Sequence, residues 1–123
     1  MVEVICDTSF LMLLATKRIK NYFNLETEIG TIKFVVPEIV TKELHKLKND
    51  PKKKQNVLAT LDFIKDFKII SMVGEYADSA IINHVRKHGG IVGTLDKELK
   101  LKIKKVGGSI ISLSNDRIIL ESQ

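Results

Sequence analysis

The run Val2-Glu3-Val4-Ile5-Cys6-Asp7-Thr8-Ser9-Phe10-Leu11 contains the two signals from which the architecture follows. Its first five residues are nearly all apolar and do not alternate strictly, as expected of a strand covered by helices on both faces. Asp7 and two hydroxyl residues then lead into an apolar stretch of helical character, with Thr8 or Ser9 able to cap its first turn. A buried strand feeding directly into a helix is the first half of a βαβ unit.

The same alternation continues outward along the chain. Strands are expected at Val2–Cys6, Lys33–Val36, Lys68–Val73, Gly90–Thr94 and Ser109–Leu113, with Arg117–Leu120 as a short edge strand. Helices are expected over Ser9–Glu26, from Pro37 to Lys48, and from Asp50-Pro51 to Asp66, where an N-cap precedes proline at the first helical position. Two more cover Tyr76–His88 and Lys97–Lys105. The pairs Gly89-Gly90 and Gly107-Gly108 follow helices, so they read as caps and turns and not as phosphate cradles. The pattern is α/β, with a mainly parallel five-stranded sheet. No repeat or linker interrupts it, so residues 1–123 read as a single domain.

With 123 residues, 44% hydrophobic and 28% charged, the chain can bury a core and is neither disordered nor fibrous. One cysteine, Cys6, excludes a disulfide scaffold and a Cys-rich zinc site, and within a strand it reads as an inert buried thiol. A short longest apolar run and no signal-peptide pattern lead to the expectation of a soluble, cytoplasmic protein with no membrane partner. The net charge of +5 is uneven: six lysines fall in residues 42–54 and five in residues 97–105, on an otherwise acidic chain. Such stretches point to a polyanion, nucleic acid first. Lys42, Lys46, Lys52, Lys53, Lys54, Lys97, Lys100 and Lys104 are the candidate backbone contacts.

Four acidic residues carry the chemical argument. Asp7 follows the first strand and Asp96 lies two residues past Thr94, at the carboxyl ends of strands where α/β sites form. Each alone reads equally well as a helix cap. Glu43 shares a helical stripe with Ile39, Val40 and Leu47, and Asp78 shares one with Ile81, Ile82 and Val85. A carboxylate on a buried stripe is costly unless a cation or hydrogen bonds receive it; at a stripe edge near a helix N-terminus it reaches water. Four carboxylates at one sheet edge repel one another, and a divalent cation removes the conflict. Oxygen-only ligation favours Mg²⁺ or Mn²⁺, one or two ions, which beside basic segments makes a phosphodiesterase. His45, His84 and His88 share no metal-ligand spacing with a Cys or a second strong ligand.

Four ordered segments carry a resemblance: Cys6-Asp7-Thr8-Ser9-Phe10-Leu11, Pro37-Glu38-Ile39-Val40-Thr41-Lys42-Glu43-Leu44, Tyr76-Ala77-Asp78-Ser79-Ala80-Ile81 and Gly93-Thr94-Leu95-Asp96-Lys97-Glu98-Leu99. Over nearly the whole chain this set resembles the PIN-domain nucleases. The resemblance implies a three-layer α/β/α fold with strand order 3-2-1-4-5 and Mg²⁺- or Mn²⁺-dependent endoribonuclease activity. It makes Asp7, Glu43, Asp78 and Asp96 the catalytic, metal-holding acids, and Ser9 and Thr94 supporting hydroxyls that orient a metal-bound water. The segment from Glu75 through Lys105 is most similar to archaeal relatives of the eukaryotic small-subunit rRNA-processing nuclease, which implies an rRNA precursor as substrate. It departs from that pattern at Ser79, where a second Asp is common, and at Leu95, where Asn is common. VapC-type toxins share the fold and the four acids, and imply instead a toxin ribonuclease with an antitoxin partner. A non-catalytic RNA-binding scaffold is a third reading, which the retention of all four acids disfavours. Tyr22 and Phe23 on the long first helix are candidates for a homodimer contact. A receiver domain has similar length, but it needs an acid where Ser71-Met72-Val73-Gly74 stands.

Overall fold

The computed structural model describes residues 2–17, 31–114 and 117–121. Apolar runs become the strands β1 (Val2–Cys6), β2 (Ile32–Pro37), β3 (Lys68–Ile70), β4 (Ile91–Gly93), β5 (Ser109–Ser114) and β6 (Arg117–Glu121). The segments of helical period become α1 (Thr8–Thr16), α2 (Glu38–Leu47), α3 (Lys54–Phe63), α4 (Ala77–His88) and α5 (Lys97–Lys105).

Successive strand residues point to opposite faces, and here both faces are apolar. Val4, Cys6, Phe34, Val36 and Ile111 pack with Phe10, Leu11, Leu14, Val40, Leu44 and Val57 of α1, α2 and α3. Their neighbours Ile5, Val35, Val92 and Ile110 pack on the other face with Ile81 and Val85 of α4 and Leu99 and Ile103 of α5. Three layers follow, α/β/α, with the expected strand order extended by one: β3-β2-β1-β4-β5-β6. The first five strands are parallel; the tail forms the expected edge strand, β6, which returns antiparallel to β5. The chain builds outward from β1 to β3, then crosses back to lay β4 on the other side of β1. The crevice beyond β1 and β4 is therefore the topological switch point, the usual place for a site in an open α/β sheet.

Three boundaries differ from expectation. Lys17 is extended and its N–H bonds Leu13 O at 2.9 Å, which closes α1 at Thr16; the rest of the expected helix, through Glu26, lies outside the described residues. Tyr22 and Phe23, the candidate dimer contacts, lie outside the described residues. Asp50 does not cap α3. Its carboxylate accepts from Lys52 N at 3.0 Å and its carbonyl from Lys53 and Lys54 N, making a turn that delays the helix to Lys54. A second turn ends α3 at Phe63, before Asp66. β3 pairs only with β2 and leaves the sheet after Ile70, not Val73. Beyond it Gly74 seats on α4 so closely that a Cβ would lie 2.7 Å from the Ala80 backbone. Among the described residues no helix is long and apolar enough to cross a membrane.

One glycine sets the depth at which α1 sits. Gly93 pairs in register with Cys6, and a Cβ there would lie 2.8 Å from two carbons of the Phe10 ring. With no side chain at 93, the Phe10 ring packs close against β4 and brings the first turn of α1 near the strand ends.

Candidate active site

The ends of β1 and β4 are joined where Asp7 N–H bonds Gly93 O at 3.1 Å. Asp7 itself, not Thr8 or Ser9, caps α1. Its extended backbone turns the carboxylate back, and Oδ1 accepts from Phe10 N at 2.8 Å and Ser9 Oγ at 3.0 Å. The hydroxyl of Thr94 donates to Asp7 Oδ2 and accepts from Asp96 N–H at 3.1 Å, so one buried oxygen ties two of the acids together. Asp96 in turn caps α5, its Oδ1 accepting from Glu98 N at 2.9 Å and Leu99 N at 3.2 Å.

Glu43 reaches in from α2. Oε1 accepts from Thr8 Oγ1 at 3.1 Å and Oε2 from Ala77 N–H at 3.1 Å, which links the first turns of α1 and α4. It is half-buried, whereas Asp78 is exposed in the first turn of α4, at the edge of its stripe and not within it. Among the described residues nothing hydrogen-bonds the Asp78 carboxylate. All four acids line one cleft of about 180 Å³, together with Thr8, Ser9 and Ala77.

The N-termini of α1, α4 and α5 all carry residues of this cleft, and their partial positive charges favour carboxylates there. The relief is incomplete. Burial, helped by the Asp78 charge, holds Asp7 above the usual carboxylate range despite hydrogen bonds from Thr94, Phe10 and Ser9 that pull it down. Asp78 is also raised, first by burial and then by Asp96 and Glu43.

Such a donor set fits a hard divalent cation. It is all oxygen, and each carboxylate keeps acceptor capacity beyond its protein bonds: one oxygen of Asp96 and both of Asp78 are without protein donors among the described residues. Among the described residues no three His, Cys, Asp or Glu side chains stand close enough to hold an ion by themselves. Water and substrate oxygens would complete the shell, as is usual for Mg²⁺.

The lysines divide into groups. Lys42 and Lys46 line a groove of about 340 Å³ with Glu43 and Tyr76, Lys42 also pairing with Glu38 at 3.6 Å. Lys52, Lys53 and Lys54 are exposed around the turn before α3, and Lys97 is exposed beside Asp96. Lys100 and Lys104 are not free backbone contacts. Both bind Glu121 of β6, at 2.8 and 3.1 Å. The basic residue that α5 does bring to the acids is Lys102. It lines a groove of about 470 Å³ with Glu43, Tyr76, Asp78 and Ser79, and its charge opposes the rise at Asp78. It also pairs with Glu98, four residues before it, at 3.3 Å, but Lys100 stands four residues after Asp96 in the same way, so no sequence signal sets Lys102 apart.

Other residues fall where their chemistry suggests. Ser79, which replaces the common Asp, bonds the Tyr76 backbone at N–H (3.3 Å) and carbonyl (3.0 Å). Cys6 is fully buried and its thiol is pushed well up by burial. The rings of His84 and His88 meet at 4.8 Å, tilted by 45°, beside a separate small pocket that none of the four acids lines.

Residues 4–116 match the sequence profile of a family described as a PIN like domain. The chain belongs to the PIN-domain family. Two archaeal relatives are named as ribonucleases. Ribonuclease VapC4 of Methanocaldococcus jannaschii is 31% identical over 109 residues, covering 84% of this chain and 83% of that protein. Ribonuclease VapC9 of Archaeoglobus fulgidus is 30% identical over 115 residues, covering 92% and 84%. Among solved structures, the PIN domain endonuclease Utp24 superposes with a TM-score of 0.81 at 29% identity, over 98% of this PIN domain and 92% of that chain. VapBC2 from Rickettsia felis, bound to a fragment of promoter DNA, gives 0.63 at 17% identity, over 93% and 100%, and shares the fold.

Proposed function

We propose that this PIN domain is a Mg²⁺- or Mn²⁺-dependent endoribonuclease whose catalytic acids are Asp7, Glu43, Asp78 and Asp96. The observation that carries the proposal is their assembly: four carboxylates from four separate parts of the chain line one cleft at the topological switch point. Two of them are raised by burial and by other carboxylates of the set, Asp7 by Asp78, and Asp78 by Asp96 and Glu43, an arrangement that a bound cation would relieve. When bound, one or two such ions supply a Lewis acid that activates water and shares the charge developing on the phosphoryl and leaving oxygens.

The chain's own residues do the rest. Thr94, fully buried, holds the Asp7 carboxylate in one orientation and so acts through it. Ser9, exposed at the cleft and bonded to Asp7, is the hydroxyl available to orient a water. Lys102 on one side and Lys42 and Lys46 on the other hold the phosphate backbone, giving affinity without reading bases.

An rRNA precursor is the favoured substrate. The support is the likeness of residues 75–105 to the rRNA-processing group, together with the close superposition on the Utp24 endonuclease. The two VapC relatives support a second reading, a toxin ribonuclease held by an antitoxin. The test is cleavage of structured rRNA fragments and of generic RNA, with Mn²⁺ or EDTA, by wild type and Asp7→Asn. Cleavage that requires the metal and is lost in Asp7→Asn is expected. Metal-dependent cleavage that survives Asp7→Asn would sink the site assignment, and RNA binding without cleavage under any metal would favour a scaffold. Growth arrest on expression, relieved by the product of an adjacent gene, would select the toxin reading.

A further inference from the structure

His84 and His88 stand four residues apart near the C-terminal end of α4, a step that puts both rings on one face of the helix. Among the described residues neither ring makes a hydrogen bond or an ion pair, so each neutral imidazole keeps one nitrogen lone pair to give. The ring centroids are 4.8 Å apart. Two imidazoles on one tetrahedral ion, with metal–nitrogen distances of about 2.0–2.1 Å, have centroids about 5 Å apart, so the pair stands at chelating separation.

The surroundings select the kind of ion. The pair lines a pocket of about 120 Å³ whose lining includes Met72 and Lys87 but no carboxylate. The Glu3 carboxylate, whose charge reaches His84 from β1, is committed to Lys68 at 2.8 Å. A hard cation finds no free anionic oxygen here, whereas neutral nitrogen donors suit the late first-row metals. Lys87 opposes any cation, and the partner-less carbonyls at the end of α4 offset it.

We propose that His84 and His88 form a second metal site, separate from the acidic cleft, which chelates one Ni²⁺, Cu²⁺ or Zn²⁺ ion and leaves Mg²⁺ and Mn²⁺ unbound. Water completes the shell, since among the described residues no third His, Cys, Asp or Glu stands close enough to join. Asp78 lies on the same helix about 9 Å back along its axis from His84, too far to share the ion. The site is independent of the ribonuclease reading. It makes the chain sort cations by donor: hard ions at carboxylates, borderline ions at imidazoles.

The chain has three histidines, so their ring protons give a readable set of NMR signals in untagged protein. In an Asp78→Asn background with excess Mg²⁺, a Zn²⁺ titration is expected to move the His84 and His88 signals together, saturating at one ion per chain, and to leave His45 in place. Mg²⁺ alone should move none of them. By calorimetry, His88→Gln should weaken Zn²⁺ binding about 10-fold or more, because one arm of the chelate is lost. Lys87→His combined with His88→Lys keeps the composition but turns one ring about 100° around the helix, and should weaken binding equally. His88 is exposed, so both variants are expected to keep the wild-type circular dichroism. Equal movement of all three histidine signals, movement of the pair by Mg²⁺, or wild-type Zn²⁺ affinity in either variant would overturn the site.

Discussion

The hydroxyl of Thr94 shows how much one atom does in this site. It donates to Asp7 and accepts from Asp96 N–H, wholly inside the protein. Thr94→Val keeps the shape but strips both bonds, so urea denaturation at neutral pH should show a loss of about 1–3 kcal/mol, with Thr94→Ser much milder. The Asp7 carboxyl should titrate higher still, since Thr94 is the strongest of the bonds holding it down. Asp78 is raised as well, with no hydrogen bond to its carboxylate among the described residues. Its folded carboxyl titrates above the ordinary 3.8, so the native state binds the proton more tightly than the unfolded chain does. Stability due to this group therefore falls as pH rises from 3.8 through the raised value, and stays reduced above it. Asp78→Asn should melt about 1–3 °C higher than wild type at neutral pH, a small gain because the group is partly solvated, and should lose that advantage below pH 3.8. Equal melting shifts at both pH values would refute the repulsion. The four acids could be read from strand ends and helical stripes. Lys102 could not, because its position depends on which side of α5 faces the cleft.

At the scale of elements, β6 behaves as a strap. Lys100, Lys104 and Ser112 hold the Glu121 carboxyl down at about 2, fastening the last strand across α5. A depressed carboxyl stabilises the fold above its unfolded value of 4.5, and that contribution is lost as pH falls toward 2. Glu121→Gln should thus cost on the order of 1 kcal/mol at neutral pH, discounted for solvent, and nothing in strong acid. It should leave RNA affinity close to wild type or raise it, because two lysines are released. The element map followed from the sequence where strands are buried on both faces, since β1, β2 and β5 must then be apolar runs. It failed where local geometry and tertiary contact decide: the turn at Asp50, the stop of α1 after Thr16, and the early exit of edge strand β3. The pairing of Lys100 and Lys104 with a residue some twenty positions away has no local signature either.

For the whole molecule, the fold gathers negative charge into one crevice and leaves basic walls around it, on a chain of net +5. Mg²⁺ or Mn²⁺ that binds only the folded form should raise the melting temperature with concentration, by about 2.7 kcal/mol of stability at 100 times Kd. Asp78→Asn should blunt that response, and a response equal to wild type would show that the ion binds elsewhere. The arrangement also constrains how this gene can decay. Asp7 and Asp96 hold the first turns of two helices as well as lining the crevice, and Asn or Ser serves a helix start almost as well as Asp. Asp78 caps nothing. A descendant that abandoned cleavage would therefore drift freely at 78 but be confined to Asn or Ser at 7 and 96. Such a lineage would still fold, and its fossil signature would be amides or hydroxyls, not alanines, where the charges once stood.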